Sequence, residues 1–315
     1  VAQERGRLDQ AEDWSRKSLT INEELGDRPG IADCYHQLGI VAQLRGRLDQ
    51  AEDWYHTSLT IKEELGSRSG MATSYHQLGM VAQERGRLDQ AEDWSRKSLT
   101  INEELGDRPG MATSYHQLGI VAQLRGRLDQ AEDWYQKSLT IKEELGDWPG
   151  MATGYHQLGV VAQLRGRLDQ AEDWYHKSNT INEELGNRPG TARTYHQLGR
   201  VAQERGRLDQ AEDWYHKSLA INEELGNRSD MASSYYQLGR VAQDRERSRE
   251  ALAWMVRCVA LFDEFPHPGS VPALAHLARL TTEVGIEALE RCWQQVTSGP
   301  LPQAVRDYIQ AKETS

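Results

Sequence analysis

The 315-residue chain has no apolar run approaching the roughly 20 residues that a membrane-spanning helix needs. It also lacks an excess of positive charge: 37 Lys and Arg stand against 48 Asp and Glu, a formal net charge of −11. Neither a bilayer interior, nor an anionic membrane surface, nor a nucleic-acid backbone suits such a chain as main partner. Cysteine is scarce. Cys34, Cys258 and Cys292 lie far apart, with neither a disulfide framework nor a metal-ligand spacing, and this points to a reducing, cytoplasmic setting. No secretory signal opens the chain and Val1 is not a methionine, so a fragment of a protein that continues upstream is expected. No phosphate-binding loop, G-x-S-x-G or H-E-x-x-H is present. An active site needs one asymmetric set of acid, base or nucleophile, whereas nearly every polar group here recurs in the same surroundings. Neither an enzyme nor a cofactor is expected.

What is present is repetition. The stretch HQLGIVAQLRGRLDQAEDW, from His36 to Trp54, returns with few changes from His76, His116, His156 and His196, forty residues apart each time. Trp14, Trp54, Trp94, Trp134, Trp174, Trp214 and Trp254 keep the same interval. A fixed period of this length marks a solenoid, in which each unit buries its apolar face only against its neighbours.

Each unit reads as two helices. The first, about Gly30 to Arg45, carries Ala32, Tyr35, Leu38, Gly39 and Ala42 at three- and four-residue spacing. Gly46 stops it, with Arg45 in the last turn where a cation suits the helix dipole. Asp49 is expected to cap the second helix, with Glu52 three residues on as in a capping box. That helix turns Leu48, Ala51, Tyr55, Ser58 and Leu59 inward and ends at Leu65-Gly66. Pro29, Pro109, Pro149 and Pro189 fall at the start of the next first helix, where a missing N–H costs little. Nothing in the repeats reads as a strand. The pattern predicts an all-α array over residues 1–246, its first unit truncated. Residues 247–315 read as a degenerate last repeat plus a helical C-terminal cap with helices near 271–284, 286–297 and 300–312.

Leu38, Gly39, Ala51 and Tyr55 resemble the tetratricopeptide (TPR) pattern W-x2-L-G-x2-Y…A-x3-F. The resemblance covers about residues 1–265. Tyr35 stands where Trp is usual, Ala42 where Tyr is usual, and the proline that ends the second helix is absent. The forty-residue unit is similar to the repeats of kinesin light chains and spindle-orientation adaptors. The closing segment resembles the end of TPR arrays in bacterial STAND-type signalling ATPases. The resemblance implies a right-handed superhelical solenoid of antiparallel helix pairs. It implies a scaffold that binds a protein or extended peptide in a concave groove, as the sensor or partner-recruiting part of a larger bacterial signalling protein. A self-assembly module or a plain spacer are the alternatives, and self-association stays open.

The changing letters suggest where a ligand lies. Residues 33, 36, 40 and 44 share one face of the first helix. Across the repeats this face offers Thr73, Thr113, Thr153 and Arg193; Ile40, Met80, Ile120, Val160, Arg200 and Arg240; and Leu44, Leu124 and Leu164. The repeated Gln83, Gln123, Gln163 and Gln203 accompany them. Exposed aliphatic residues on a helix usually mean a covered surface. Arg193, Arg200 and Arg240 suit an acidic side chain or a C-terminal carboxylate. Their placement resembles the carboxylate clamp of chaperone-binding TPRs, although His196 and Arg200 stand where Lys and Asn are usual there. The competing expectation is that these arginines pair with Glu204, Asp244 and other neighbouring acids.

His36, His76, His116, His156 and His196 form a ladder rather than a metal cage. Ligands must converge within about 2.1 Å of one ion, whereas packed helix axes lie about 8–10 Å apart. A hydrogen-bonding row that sharpens in mild acid is the alternative role, since histidine titrates near pH 6.5. The tryptophans are expected in the core, wedged against the next unit's first helix. The acidic pairs Glu23-Glu24 and Glu63-Glu64 are expected to form a solvated outer edge.

Overall fold

The computed structural model describes residues 2–262 and 265–313, which form sixteen α-helices and one short 3-10 turn, with no strand among the described residues. Two compact units are present, residues 1–165 and 166–315. The first holds α1 (Ala2–Leu25), α2 (Arg28–Leu44), α3 (Leu48–Glu64), α4 (Arg68–Glu84), α5 (Leu88–Leu105), α6 (Arg108–Leu124), α7 (Leu128–Leu145) and α8 (Trp148–Leu164). The second begins with α9 (Leu168–Glu184), α10 (Arg188–Glu204), α11 (Leu208–Leu225), α12 (Arg228–Asp244) and α13 (Ser248–Ala260). It closes with α14 (Val271–Val284), α15 (Ile286–Thr297) and α16 (Gln303–Glu313).

Local chemistry sets the helix ends. Asp27, Asp107 and Asp147 accept the backbone N–H of the residue three further on, and Asn187 does the same in the second unit. A proline occupies the first turn of each of these helices, where no N–H partner is lost. At the other end the chain reverses within three residues. Gly46 takes φ +70°, so Arg47 N–H can reach back to Ala42 O at 2.9 Å.

The capping role expected of Asp49 is not observed. The second helix starts at Leu48, one residue before Asp49, and Arg47 at the cap position makes no side-chain cap bond. The tight glycine turn delivers the chain to the helix too early for Asp49 to stand outside it. Asp49 instead lies in the first turn, favourable for an acid. Together with Glu52 it binds Arg85 of the following unit. The same clamp joins Arg45 to Asp9 and Glu12, Arg125 to Asp89 and Glu92, and Arg165 to Asp129 and Glu132. In the second unit it joins Arg205 to Asp169 and Glu172, and Arg245 to Asp209 and Glu212.

The acidic pairs are likewise engaged rather than merely solvated. Glu64 pairs with Arg28, Glu104 with Arg68 and Glu144 with Arg108, while Glu63 accepts the Tyr75 hydroxyl proton. Gly6, at the position of Gly46, does not end a helix: α1 runs through it as one 24-residue helix. A short helical stub has no packed antiparallel partner to hold the reversal, so helix propagation prevails there.

Packing follows the predicted stripe. Ala42, Ala51, Tyr55 and Leu59 of one helix pair meet Leu78 and Val81 of the next. Tyr55 is fully buried and sends its hydroxyl to Gln43 Oε1 at 3.0 Å. Gly39 is the reason its ring fits: a Cβ there would lie 2.5 Å from the ring. In the second unit Ala202, Ala211, Tyr215 and Leu219 repeat this arrangement against Leu238 and Val241.

The repeat tryptophans are not fully buried: Trp54, Trp94, Trp214 and Trp254 lie half-buried against the cores, Trp14 is exposed, and the rings stack on a first-helix tyrosine, as in Tyr35–Trp54 (centroids 5.2 Å) and Tyr195–Trp214 (5.2 Å). Over Trp94, Trp134, Trp174 and Trp214 a lysine covers the ring, with Lys97 Nζ 4.2 Å from the Trp94 centroid and Lys217 Nζ 4.1 Å from that of Trp214. Tyr55 and Tyr215 fill the centres of these clusters, and the indoles pack at their edge. The chain end has its own core. Met255, Leu274, Leu277, Leu289, Trp293 and Ile309 pack together, and Met255 faces Gly239 where the repeats have tyrosine.

Candidate partner-binding faces

In the first unit the variable face of α2, α4, α6 and α8 carries a half-buried aliphatic row, Ile40, Met80, Ile120 and Val160. Beside it Leu44, Leu124 and Leu164 stand out, each more than half exposed at 67%, 54% and 57%. These are among the largest exposed apolar side chains in the unit. Thr73, Thr113 and Thr153 are exposed, but each hydroxyl is turned back onto the carbonyl four residues earlier. Thr73, His76, Asn102 and Thr113 line a cleft of about 210 Å³ between α4, α5 and α6.

The glutamines are tied into the frame. Gln123 Oε1 receives Tyr135 and Gln83 Oε1 receives Gln117, while in the second unit Gln203 takes the Tyr215 proton and donates to Asp244. Gln163 is half-buried on α8.

The histidines sit deeper than the ladder reading supposed. The His36 ring leans on Tyr55 (centroids 5.5 Å), His116 on Tyr135 (5.4 Å) and His196 on Tyr215 (5.3 Å). Nδ1 of His36, His76 and His116 is buried without a hydrogen-bond partner. His156 keeps the same half-buried position on α8. Burial, reinforced by Lys62, pushes His36 down to about 4. Burial with Lys142 does the same to His116, and burial with Arg200 to His196. Burial thus favours the neutral form of His36, His116 and His196, which works against a row that sharpens in mild acid. No three His, Cys, Asp or Glu side chains among the described residues come together as metal ligands would.

The second unit presents a different face. Arg193, Arg200 and Arg240 are all exposed. Arg193 lines a cleft of about 180 Å³ with His196, Gln197, Asn222 and Asp230. Arg200 donates to Gln197 Oε1 at 3.3 Å. The expected pairing of these arginines with Asp244 is not made: Asp244 receives Gln203 Nε2 at 2.7 Å. Burial raises Tyr215, and Arg200, Arg240, Glu204 and Asp244 all act electrostatically on it, the arginines lowering and the acids raising.

Sequence reasoning missed three residues that extend this face. Tyr236 occupies the ladder position on α12, and His276 on α14 lies exactly one period beyond it. The Tyr236 hydroxyl is 3.0 Å from His276 Nε2, and Arg279 is one helical turn past His276. The signal was the forty-residue interval itself, which outlives the repeat's other letters. Also missed were Lys62 and Lys142, buried at the inter-unit position that is Asn102 in α5. Burial lowers both lysines, opposed by Asp33 and Asp147 respectively.

The sequence matches the tetratricopeptide repeat family over residues 1–64, 70–144, 150–224 and 201–264. No curated protein matches it. Among solved structures, BtubC (BKLC) from P. vanneervenii is similar at 21% identity and TM-score 0.62, over 70% of this chain and 94% of that one. A STAND-class signal transduction ATPase with a tetratricopeptide repeat sensor, from Pyrococcus horikoshii, gives TM-score 0.72 at 15% identity over 94% of this chain. The chain spans 46% of that protein's length. The apo form of RapI gives TM-score 0.63 at 14% identity, over 89% of this chain and 99% of that one. At these identities the likeness is one of fold.

Proposed function

The chain belongs to the tetratricopeptide repeat family, and from that premise we propose that it is a protein- or peptide-binding scaffold using the first-helix faces of its two units. The second unit takes acidic side chains or a C-terminal carboxylate, and the first takes aliphatic ones. One observation carries this reading. The regularly repeated arginines at the turns are held by carboxylates, whereas Arg193, Arg200 and Arg240 have no ion pair among the described residues. A guanidinium left unpaired and exposed in a chain of net charge −11 is available for an anionic partner. Such an array suits the sensing or recruiting arm of a larger signalling protein, and the fold likeness to the STAND protein fits that role. Free cysteines fit a reducing, cytoplasmic setting. The recurrence of polar groups in identical surroundings favours binding over catalysis.

Selection of random displayed peptides on the immobilised chain tests this. The expected result is enrichment of acidic peptides that is lost on an Arg193→Ala, Arg200→Ala, Arg240→Ala variant of equal helicity. Recovery of the same peptides by both proteins would overturn the acidic-partner reading. A mass that rises with concentration and no enriched peptide would favour self-assembly instead.

A further inference from the structure

The corner between α7 and α8 departs from the other repeats at one letter. Where a second helix turns into the next first helix, the repeats open that helix with Arg28, Arg68, Arg108, Arg188 and Arg228; here alone a tryptophan, Trp148, takes the place. Arg28, Arg68 and Arg108 each pair with a glutamate 36 residues on, and Arg188 does so in the second unit. An indole has no charge for such a pair, and Trp148 stands 50% exposed. The exchange also alters the local charge. Residues 143–149 carry Glu143, Glu144 and Asp147 with no exposed cation, because Lys142 just before them is buried. The matching segments 23–29 and 103–109 hold the same three acids and an arginine.

Backbone bonds gather these residues into one tight turn. Gly146 takes φ +65°, Asp147 N–H reaches Lys142 O at 2.9 Å, and Trp148 N–H reaches Gly146 O at 3.0 Å. Asp147 Oδ1 then accepts Gly150 N–H at 3.0 Å, which fixes its carboxylate at the start of the helix that Trp148 opens. The buried Lys142 feels the Asp147 charge, but the two form no ion pair among the described residues. Other tryptophans of the chain show what occupies an indole face here. Trp94, Trp134, Trp174 and Trp214 each lie under the lysine three residues on, at 4.2, 4.4, 4.3 and 4.1 Å from the ring centroid, and Trp254 lies under Arg257 at 4.5 Å. Three residues after Trp148 stands Met151. Trp148 has neither a cation nor a ring partner among the described residues.

We propose that Trp148 and Asp147 form a docking point for an arginine or lysine side chain of a partner protein, with the cation on the indole face and paired with the Asp147 carboxylate. Charge complementarity names the partner. An indole is the best cation acceptor among the aromatic side chains, and the acidic corner around it is the one that has lost its own arginine. This surface lies at the turn between two units of the array, not on the variable face of a first helix. It takes charge of the opposite sign to that expected at Arg193, Arg200 and Arg240, and it does not depend on that reading.

NMR titration of the isotope-labelled full chain tests it, read on the tryptophan indole N–H signals, with that of Trp148 assigned by its absence from Trp148→Leu. Two acetylated, amidated glycine peptides serve as probes, one carrying a pair of arginines and the other citrulline, the neutral isostere, in their place. The arginine peptide shifts the Trp148 signal saturably, and the citrulline peptide does not. Anisotropy of the labelled arginine peptide then ranks the variants. Trp148→Leu weakens binding about three- to ten-fold, the usual worth of a cation on a partly exposed indole. Trp148→Phe weakens it less than Trp148→Leu. Trp148→Arg, which restores the letter of the other units, weakens it at least as much. Asp147→Asn weakens it too, and the turn tolerates that change because Asn187 and Asn227 cap the equivalent helices. The triple variant at Arg193, Arg200 and Arg240 does not weaken it.

An unmoved Trp148 signal, or equal affinity of the native chain and Trp148→Leu for the arginine peptide, would overturn the proposal. A citrulline peptide that shifts the signal as far would hand the corner to an uncharged partner and overturn the cationic one. Loss on Asp147→Asn without loss on Trp148→Leu would mean that the general acidity of the chain attracts the peptide. Loss on Trp148→Leu alone would remove Asp147 from the site. Circular dichroism of each variant checks that its helicity is unchanged.

Discussion

At Gly119 an added Cβ would lie 2.6 Å from the Tyr135 ring, while at Gly79 the facing residue is Ser95 and the nearest atom is its Oγ at 3.1 Å. The two sites share a helix position but not a neighbour. A mid-helix glycine costs about 1 kcal/mol relative to alanine, and overpacking a filled core costs about 1–3 kcal/mol. Gly119→Ala should therefore lower stability by up to about 2 kcal/mol. Gly79→Ala should leave it unchanged within about 0.5 kcal/mol or raise it. Urea unfolding of the two variants compares them directly, and equal losses would mean that Tyr135 does not set the inter-helix distance. A second residue breaks a local rule. Glu246 holds the left-handed turn (φ 60°) that glycine makes at Gly46, Gly86, Gly126 and Gly206, and its turn bonds to Gln243 and Ala242 are the same. A side chain in that region costs about 1 kcal/mol. Glu246→Gly should raise the unfolding midpoint by a comparable amount, less the chain entropy that glycine adds to the unfolded state.

The elements were largely legible in the sequence because each is bounded by a residue with one strong backbone preference. Gly46 ends α2, Pro29 opens it, and the 3.6-residue stripe from Ala32 to Ala42 says which side is buried. What could not be read was competition between elements. Asp49 has the chemistry of a cap, but the turn before it fixes the helix start at Leu48, and Arg85 from another unit takes its carboxylate. The repeat tryptophans have the apolar area of core residues, but Tyr55 and Tyr215 hold the fully buried places, so the indoles are left half-buried at the cluster edge. The variable first-helix positions were visible as variation, whereas the chain of bonds from Arg279 through His276 to Tyr236 joins two helices whose pairing no local pattern announces.

Over the whole molecule, burial gives the histidines a shared effect on acid stability. His36, His116 and His196 titrate at about 4 when folded and near 6.5 when unfolded. Between those values the unfolded chain binds more protons, so stability is lost as pH falls from about 6.5 toward 4. Each ring can contribute up to about 3 kcal/mol, less where water reaches it. The urea midpoint should drop steeply across that window, and His116→Gln should flatten the drop. A profile that His116→Gln leaves unchanged would mean that the ring is as solvated when folded as when unfolded. The turn-to-turn ion pairs act at the same scale. Arg85 reaches Asp49 and Arg125 reaches Asp89, each across 36 residues. Deleting residues 71–110 would bring Arg125 to Asp49 at the same interval, and Arg68 to Glu144. The shortened chain should stay helical and unfold in one transition; a non-helical product would mean that stability is not additive over neighbours. This interchangeability reaches back to the gene. Residues 1–40 and 81–120 differ at only three positions, Ile31/Met111, Asp33/Thr113 and Cys34/Ser114. Misaligned exchange between such blocks adds or removes whole units with the turn-to-turn ion pairs intact, so a lineage can change its number of repeats in one step.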